Sequence, residues 1–309
     1  MDQLLVPVDF SDYSRHALEV AVYIASKTKS PVKLLHVVEA AYTPTVGVTG
    51  DIVFDDDLYQ EYVKRMMEKA EKILKAYVET LKSKGVIASW EVLAGRAYSV
   101  IADQFKQEGR GLIILGNKGV TDDDSFWIGS TADKVIRRAK VPVLTVKGKK
   151  GKFQIKNIVF ASDFSEEASP VAKRVHQLAL LFDAKIHLLM VNTPDHYLPE
   201  RRSEKILKQF AEANQLTQYS VNTHYDETEE EGIVHFANQI RADIIAMGTH
   251  GRRGLAHLIK GSIAEDVVLH SSIPVLTFNI KSENKLLKSS GESAKRESGT
   301  LKKKESRKN

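Results

Sequence analysis

Short apolar runs alternate with longer amphipathic stretches over the first 280 residues of the chain. Each run has the length of a strand that is buried on both faces, and each stretch repeats its apolar residues at helical spacing. A strand over 3–8 is followed by a helix over 13–28, in which Ala17, Val20, Ala21 and Ile24 share one face. This alternation predicts an α/β fold with a doubly wound parallel sheet.

Five such units fill the first half of the chain. The predicted strands are 3–8, 32–38, 89–93, 112–115 and 143–146, and the predicted helices are 13–28, 57–84, 98–107 and one that begins at Ser130. A connection over 40–54 contains glycine, proline and threonine.

The same order of elements begins again after a polar linker at 147–152. Asp163-Phe164-Ser165 repeats Asp9-Phe10-Ser11 at an offset of 154, and a glycine motif repeats at an offset of 132. The first half therefore carries 22 more residues, which we place in the connection over 40–59. The sequence predicts two tandem, five-stranded, Rossmann-like domains at 1–147 and 153–280. Few apolar residues follow, so 281–309 is predicted to be a disordered basic tail.

The repeated glycine motif supplies the candidate chemistry. The first glycine loop runs from Gly116-Asn117-Lys118-Gly119 through nine residues to Gly129-Ser130, and the second runs from Gly248-Thr249-His250-Gly251 through nine residues to Gly261-Ser262. Each loop joins the end of an apolar strand to the start of a helix, where free N–H groups and the helix dipole favour an anion. The alternative to a phosphate site is that these glycines only form turns. Two copies of the motif at one spacing favour the phosphate site.

Composition narrows the function classes. The chain of 309 residues has no cysteine, so it has no disulfide framework and no thiolate site. We see no signal peptide and no apolar run of membrane-spanning length, and therefore expect a cytoplasmic protein without a membrane partner. Residues 281–309 contain ten Lys or Arg and four Glu, a net charge of +6. Since the whole chain carries +5, residues 1–280 carry −1. No nucleic-acid partner is expected, because the two domains are nearly neutral.

Both halves resemble universal stress protein domains through Pro7-Val8-Asp9-Phe10-Ser11, Leu34-Leu35-His36-Val37 and the two glycine loops. The resemblance covers residues 1–280 and implies an adenine nucleotide, ATP, as the ligand. It also implies that the final strands pair the two domains within the chain, while a further homodimer stays open. Carried over by position, it implies nucleotide contacts in the second half from Asp163, Val191, Met247, Gly248, Gly251, Gly261 and Ser262, and in the first half from Asp9, Val37, Leu115, Gly116, Gly119, Gly129 and Ser130. Arg252 is a further candidate contact because its positive charge lies in the second glycine loop.

The two glycine loops differ in charge. The first contains Asp122-Asp123-Asp124, whereas the second contains Arg252, Arg253 and Lys260. Each unit charge about 4 Å from a phosphate contributes roughly 1 kcal/mol in water and about 4 kcal/mol at an effective dielectric of about 20. The second half is therefore the predicted ATP site, and the first is expected to bind weakly or with Mg²⁺.

Three functions stay open from the sequence. The first is a nucleotide-binding regulatory module, with a protein partner that the sequence does not identify. The second is a slow ATPase or phosphotransferase, although the chain has no Gly-x-x-x-x-Gly-Lys-Ser/Thr motif and no evident base. The third is a nucleotide-free interaction protein. His36 and His187 lie in predicted strands and are interpreted as structural, and no His/Asp/Glu spacing predicts a metal site.

Overall fold

The computed structural model describes residues 2–39, 45–46, 52–53, 56–105, 111–117, 130–148, 153–249 and 263–285. The elements of the first half are β1 (Leu4–Pro7), α1 (Asp12–Thr28), β2 (Val32–Val38), β3 (Thr45–Val46), β4 (Ile52–Val53), α2 (Asp56–Ser83), β5 (Ala88–Ala94), α3 (Ala97–Asp103), β6 (Leu112–Asn117), α4 (Ser130–Arg138) and β7 (Val143–Lys147). Those of the second half are β8 (Asn157–Ala161), a 3-10 turn (Glu166–Ala168), α5 (Ser169–Phe182), β9 (Lys185–Asn192), α6 (Glu200–Ala213), β10 (Tyr219–Tyr225), α7 (Glu229–Gln239), β11 (Ile244–Thr249), α8 (Ile263–His270) and β12 (Val275–Asn279).

Ten strands form one continuous sheet in the order β10-β9-β8-β11-β12-β7-β6-β1-β2-β5. Neighbouring strands within each half are parallel, and helices cover both faces because a parallel connection must cross over the sheet. The predicted fold class, two tandem doubly wound domains, is confirmed. The short β3–β4 hairpin stands apart from this sheet and lies in the segment predicted as a connection.

The two halves join where β7 runs antiparallel to β12, with Leu144 opposite Leu276. The Thr145 hydroxyl donates to the Val275 carbonyl at 3.2 Å, and the Thr277 hydroxyl donates to the Val143 carbonyl at 3.2 Å. These matched hydrogen bonds satisfy polar groups at a buried joint. The sheet therefore continues from one half into the other.

Side chains beyond the sheet also connect the halves. Lys147 donates from Nζ to the carbonyl of Leu269, and burial lowers the pKa of this lysine to about 8. Arg137 of α4 also forms an ion pair with Glu265 of α8. The ring of Tyr23 stacks on Phe182 with centroids 5.7 Å apart. Apolar, aromatic and ionic contacts thus hold the halves together.

The C-terminal boundary differs from the prediction. Residues 280–285 form a helical turn instead of the start of a disordered tail. Ile280 is 7% exposed, and Glu283 is 3% exposed and lies 3.6 Å from Arg174. The tail prediction at 281 therefore begins too early, because one isoleucine and one ion pair anchor this turn. The rest of the predicted tail lies outside the described residues.

In the part of the chain that the structure describes, none of the helices combines the length and apolarity needed to cross a membrane.

Candidate functional site

The site is positioned by the reversal of strand order in each half. β1 lies between β2 and β6, and β8 lies between β9 and β11. In the first half the chain adds β2 and β5 on one side of β1 and then β6 and β7 on the other, and in the second half β9 and β10 and then β11 and β12 flank β8 in the same way. A crevice opens beyond the carboxyl ends of the strands where this order reverses. The sequence does not specify strand order; the order implied by the resemblance is confirmed.

Strand register brings the predicted residues of the second half to one level. Ala161 of β8 is opposite both Leu189 of β9 and Met247 of β11. Asp163, Val191 and Thr249 come two residues after these three positions and therefore lie at the same edge of the sheet. The register thus places a carboxylate between an apolar side chain and the start of the second glycine loop.

The first half has the same arrangement. Leu5 is opposite Ile113, and Pro7 is opposite Leu35. By the same register, Asp9, Val37 and Asn117 lie side by side at the carboxyl ends of β1, β2 and β6, as their counterparts do in the second half. Both halves therefore place a candidate site at the same edge.

A strained turn carries the aspartate in each half. Phe10 has φ 66° and Phe164 has φ 56°, the left-handed region that bulky side chains rarely adopt. Phe164 is held in place by edge contacts with Phe160 at 5.9 Å and Phe210 at 5.2 Å. Packing that enforces backbone strain at a crevice is typical of a functional position.

Hydrogen bonds orient the two aspartates. Asp163 accepts through Oδ1 from the Ser165 amide at 3.1 Å and the Ser165 hydroxyl at 3.0 Å. The Ser162 hydroxyl, at 3.3 Å, also donates to Oδ1. Among the described residues these three bonds all reach Oδ1, so Oδ2 of this exposed carboxylate can accept from a ligand.

Asp9 makes the corresponding contacts with Ser11, to the amide at 3.0 Å and to the hydroxyl at 2.6 Å. Partial burial raises the pKa of Asp9, but the hydrogen bonds from Ser11 and Ser14 outweigh it and the pKa is lowered. Ser11 in turn caps α1 by accepting from the Ser14 amide. Asp9 therefore supports the start of α1 through Ser11.

Neighbouring elements fill the space beside the first glycine of each loop. A Cβ at Gly116 would lie 2.4 Å from the backbone C and O of Tyr13 in α1. A Cβ at Gly248 would lie 2.7 Å from Cδ1 of Ile280. The missing side chain thus makes room for α1 beside Gly116 and for Ile280 beside Gly248, and a phosphate contact from these two glycines stays a prediction.

Other predicted contacts divide between the core and the crevice. Leu115 and Met247 are each 5% exposed and belong to the core beneath α3, α4, α7 and α8, so their side chains are packing residues. Val37 and Val191 are half-buried at the ends of their strands. Ser130 begins α4, and the remaining predicted contacts lie outside the described residues: Gly119, Gly129, Gly251, Arg252, Gly261 and Ser262.

The structure adds an acid that sequence reasoning missed. Glu39 follows β2 in the first half, and its carboxylate accepts from the Ala97 amide at the start of α3. The repeat offset puts Thr193 at the corresponding place in the second half. This exposed carboxylate adds negative charge beyond the carboxyl end of β2.

His36 and His187 have structural partners. His36 Nδ1 lies 2.6 Å from the Val8 carbonyl. His187 lies 3.1 Å from Asn157 Oδ1 through Nε2 and 2.9 Å from the Ser220 hydroxyl through Nδ1, and burial lowers its pKa. Both rings thus contact the protein, as their interpretation as structural residues requires.

Comparisons with known proteins follow the same two-part division. The sequence model of the Universal stress protein family matches residues 1–147 and 154–279. Universal stress protein Slr1230 of Synechocystis sp. is 26% identical over 299 residues, covering 90% of this chain and 100% of that protein. Universal stress protein YxiE of Bacillus subtilis is 30% identical over 146 residues, covering 47% of this chain and 99% of that protein.

Among solved structures, a universal stress protein from Archaeoglobus fulgidus DSM 4304 superposes with a TM-score of 0.72 at 20% identity. The superposition covers 90% of this chain and 98% of that one. The likeness therefore extends across both halves and their arrangement in one chain.

Proposed function

Because this chain belongs to the universal stress protein family, we propose that it is a nucleotide-binding regulatory module that takes ATP in the crevice between β8 and β11. The observation that carries the proposal is the register that brings Asp163, Val191 and Thr249 to one edge of the sheet. That edge is where open α/β sheets bind ligands.

The described residues suit the adenine end of the ligand. Oδ2 of Asp163 can accept from the exocyclic amino group of adenine, and Val191 offers an apolar surface beside it. Asn192, which is 2% exposed, bonds both the amide and the carbonyl of Leu198 and so holds the chain that leaves β9. The adenine pocket would therefore have a fixed wall.

The phosphate end falls to the second glycine loop, which starts where β11 ends. Its Arg252, Arg253 and Lys260 carry three positive charges. Cationic side chains and backbone N–H groups together favour a triphosphate. We assign Mg²⁺, if it accompanies ATP, to the phosphate oxygens, since Mg²⁺ prefers oxygen ligands.

Mass spectrometry of ligand released from the purified, denatured full-length chain tests this proposal. The expected result is ATP at a substantial molar fraction, and its loss from a Gly261→Asp variant prepared in parallel. That variant places a carboxylate at the proposed phosphate site, so nucleotide carried along nonspecifically would be equal in both preparations. Bound ADP in place of ATP would favour the ATPase alternative. The absence of nucleotide from both preparations would contradict the proposal.

A further inference from the structure

A histidine and aspartate cluster lies at the end of β10, one strand away from Val191 of the proposed ATP site. His224 belongs to β10, Asp226 follows that strand, and His235 lies on α7. Oδ2 of Asp226 is 2.7 Å from His235 Nδ1 and 3.5 Å from His224 Nε2. One potential ligand atom from each residue lies within 4.8 Å of the other two. Three donor atoms thus converge on one point.

Packing holds the cluster together. A Cβ on Gly232 would lie 2.5 Å from Cγ1 of Val191 and 3.1 Å from Cβ of Asp226, so the glycine allows the first turn of α7 to approach both β9 and Asp226. Oδ1 of Asp226 accepts from the Glu227 amide at 2.9 Å, which leaves Oδ2 directed to the two rings. The ring of His224 lies 6.0 Å from that of Phe236. Two of the three side chains, those of His224 and Asp226, are therefore held in position by the fold.

We propose that His224, Asp226 and His235 bind a divalent transition metal of the zinc class. Two imidazole nitrogens and one carboxylate oxygen are zinc ligands, and three protein ligands leave a fourth tetrahedral position for water. Ligand atoms about 2.0–2.2 Å from zinc lie about 3.3–3.6 Å from one another. His235 has a side chain that is 63% exposed, so it can rotate to open the 2.7 Å contact when the metal enters.

The first half provides an internal comparison. His224 is opposite Val191 in the sheet, and the strand register gives Leu93 opposite Val37 in the first half. The helix position that corresponds to His235 is Asp103, at an offset of 132. The first half consequently lacks both imidazoles, and the expected stoichiometry is one metal ion per chain.

Calorimetric titration of ZnCl₂ into the untagged full-length chain, in buffer without nucleotide, tests the site. We expect one ion per chain and an affinity at least about tenfold lower in His235→Ala and in Asp226→Asn, because losing even an outer-shell partner of a metal ligand costs about 10–100-fold. His176→Ala is the matched control, because His176 lies on α5 and contacts Thr217. Its zinc affinity is expected to equal that of the parent chain.

A second readout separates binding from folding. Zinc should raise the melting temperature of the parent and of His176→Ala but leave that of His235→Ala unchanged, because only a ligand bound to the native state stabilises it. His235→Ala should melt with the parent when zinc is absent, since the ring is mostly exposed. No zinc uptake by a folded parent, or equal uptake by the parent, His235→Ala and Asp226→Asn, would overturn the proposal.

Discussion

ATP is expected to bind the second half at least about a hundredfold more tightly than the first, a difference of about 3 kcal/mol. The first glycine loop contains Asp122, Asp123 and Asp124, where the second contains arginine and lysine. Glu39 adds a further carboxylate beyond the carboxyl end of β2, where the second half has Thr193. Like charges near the phosphates weaken binding by roughly 1–4 kcal/mol each, depending on the local dielectric.

Changing Asp122, Asp123 and Asp124 to Asn in the full-length chain tests this inequality. Calorimetry with ATP in the presence of a chelator should show one tight site in the parent and a second, strengthened site in the variant. A control with Glu19, Glu68 and Glu79 changed to Gln makes the same change in net charge on exposed helix positions. Two equal sites in the parent, or equal strengthening by the control, would show that the loop acids do not act on the phosphates.

Gly116→Ala is expected to lower the free energy of unfolding by about 3 kcal/mol or more, since over-packing against rigid structure has large effects. The new Cβ would lie 2.4 Å from the Tyr13 carbonyl and 2.7 Å from the Ser14 amide nitrogen. Both are backbone atoms at the start of α1, so the whole helix start must move. The repeated turn at Asp9 and Ser11 lies beside it and would be displaced as well.

Urea unfolding of two further variants, Gly248→Ala and Gly148→Ala, provides the controls for this loss of unfolding free energy. At Gly248 the obstacle is the end of the Ile280 side chain, which can rotate, so Gly248→Ala should cost about 1 kcal/mol. At Gly148 the nearest atoms are 3.5 Å away in the Tyr13 ring, so Gly148→Ala should stay within about 0.5 kcal/mol of the parent. Equal stability of all three variants would mean that α1 does not pack against Gly116 as described.

Much of the fold follows from local sequence patterns. Apolar runs identify the inner strands because the inner strands of a parallel sheet are buried on both faces, whereas the edge strand β10 has no such run. The offset between Asp9 and Asp163 identifies the tandem repeat. Strand order depends instead on long-range pairing, such as Leu5 with Ile113, which no local pattern specifies. The resemblance to a known family supplied that order.

The site was less predictable because one residue type serves several purposes. Glycine at 116 and 248 is consistent with phosphate binding in the sequence, yet the structure shows Tyr13 and Ile280 in the space beside them. The positive φ of Phe164 has no signal in its residue type, since phenylalanine rarely adopts it. The sequence motifs therefore indicate the edge of the sheet where the crevice lies, whereas the contacts of individual residues depend on packing between distant elements.

The histidine cluster shows a second limit of sequence reasoning. His224 and Asp226 are separated by one residue, but His235 comes from the following helix. Their convergence depends on the close approach that Gly232 allows between α7 and the end of β10. A search for regular metal-ligand spacing has no reason to join these three positions.

The central claim, that ATP occupies the second half, is tested most directly by titrating ATP into the full-length chain and two matched glycine variants. Gly261 and Gly129 hold the same position in the two loops. Gly261→Asp should abolish the tight site by placing a side chain and a carboxylate among the phosphates, whereas Gly129→Asp should leave it unchanged. Tight ATP binding that survives Gly261→Asp, or that disappears with Gly129→Asp alone, would contradict the account.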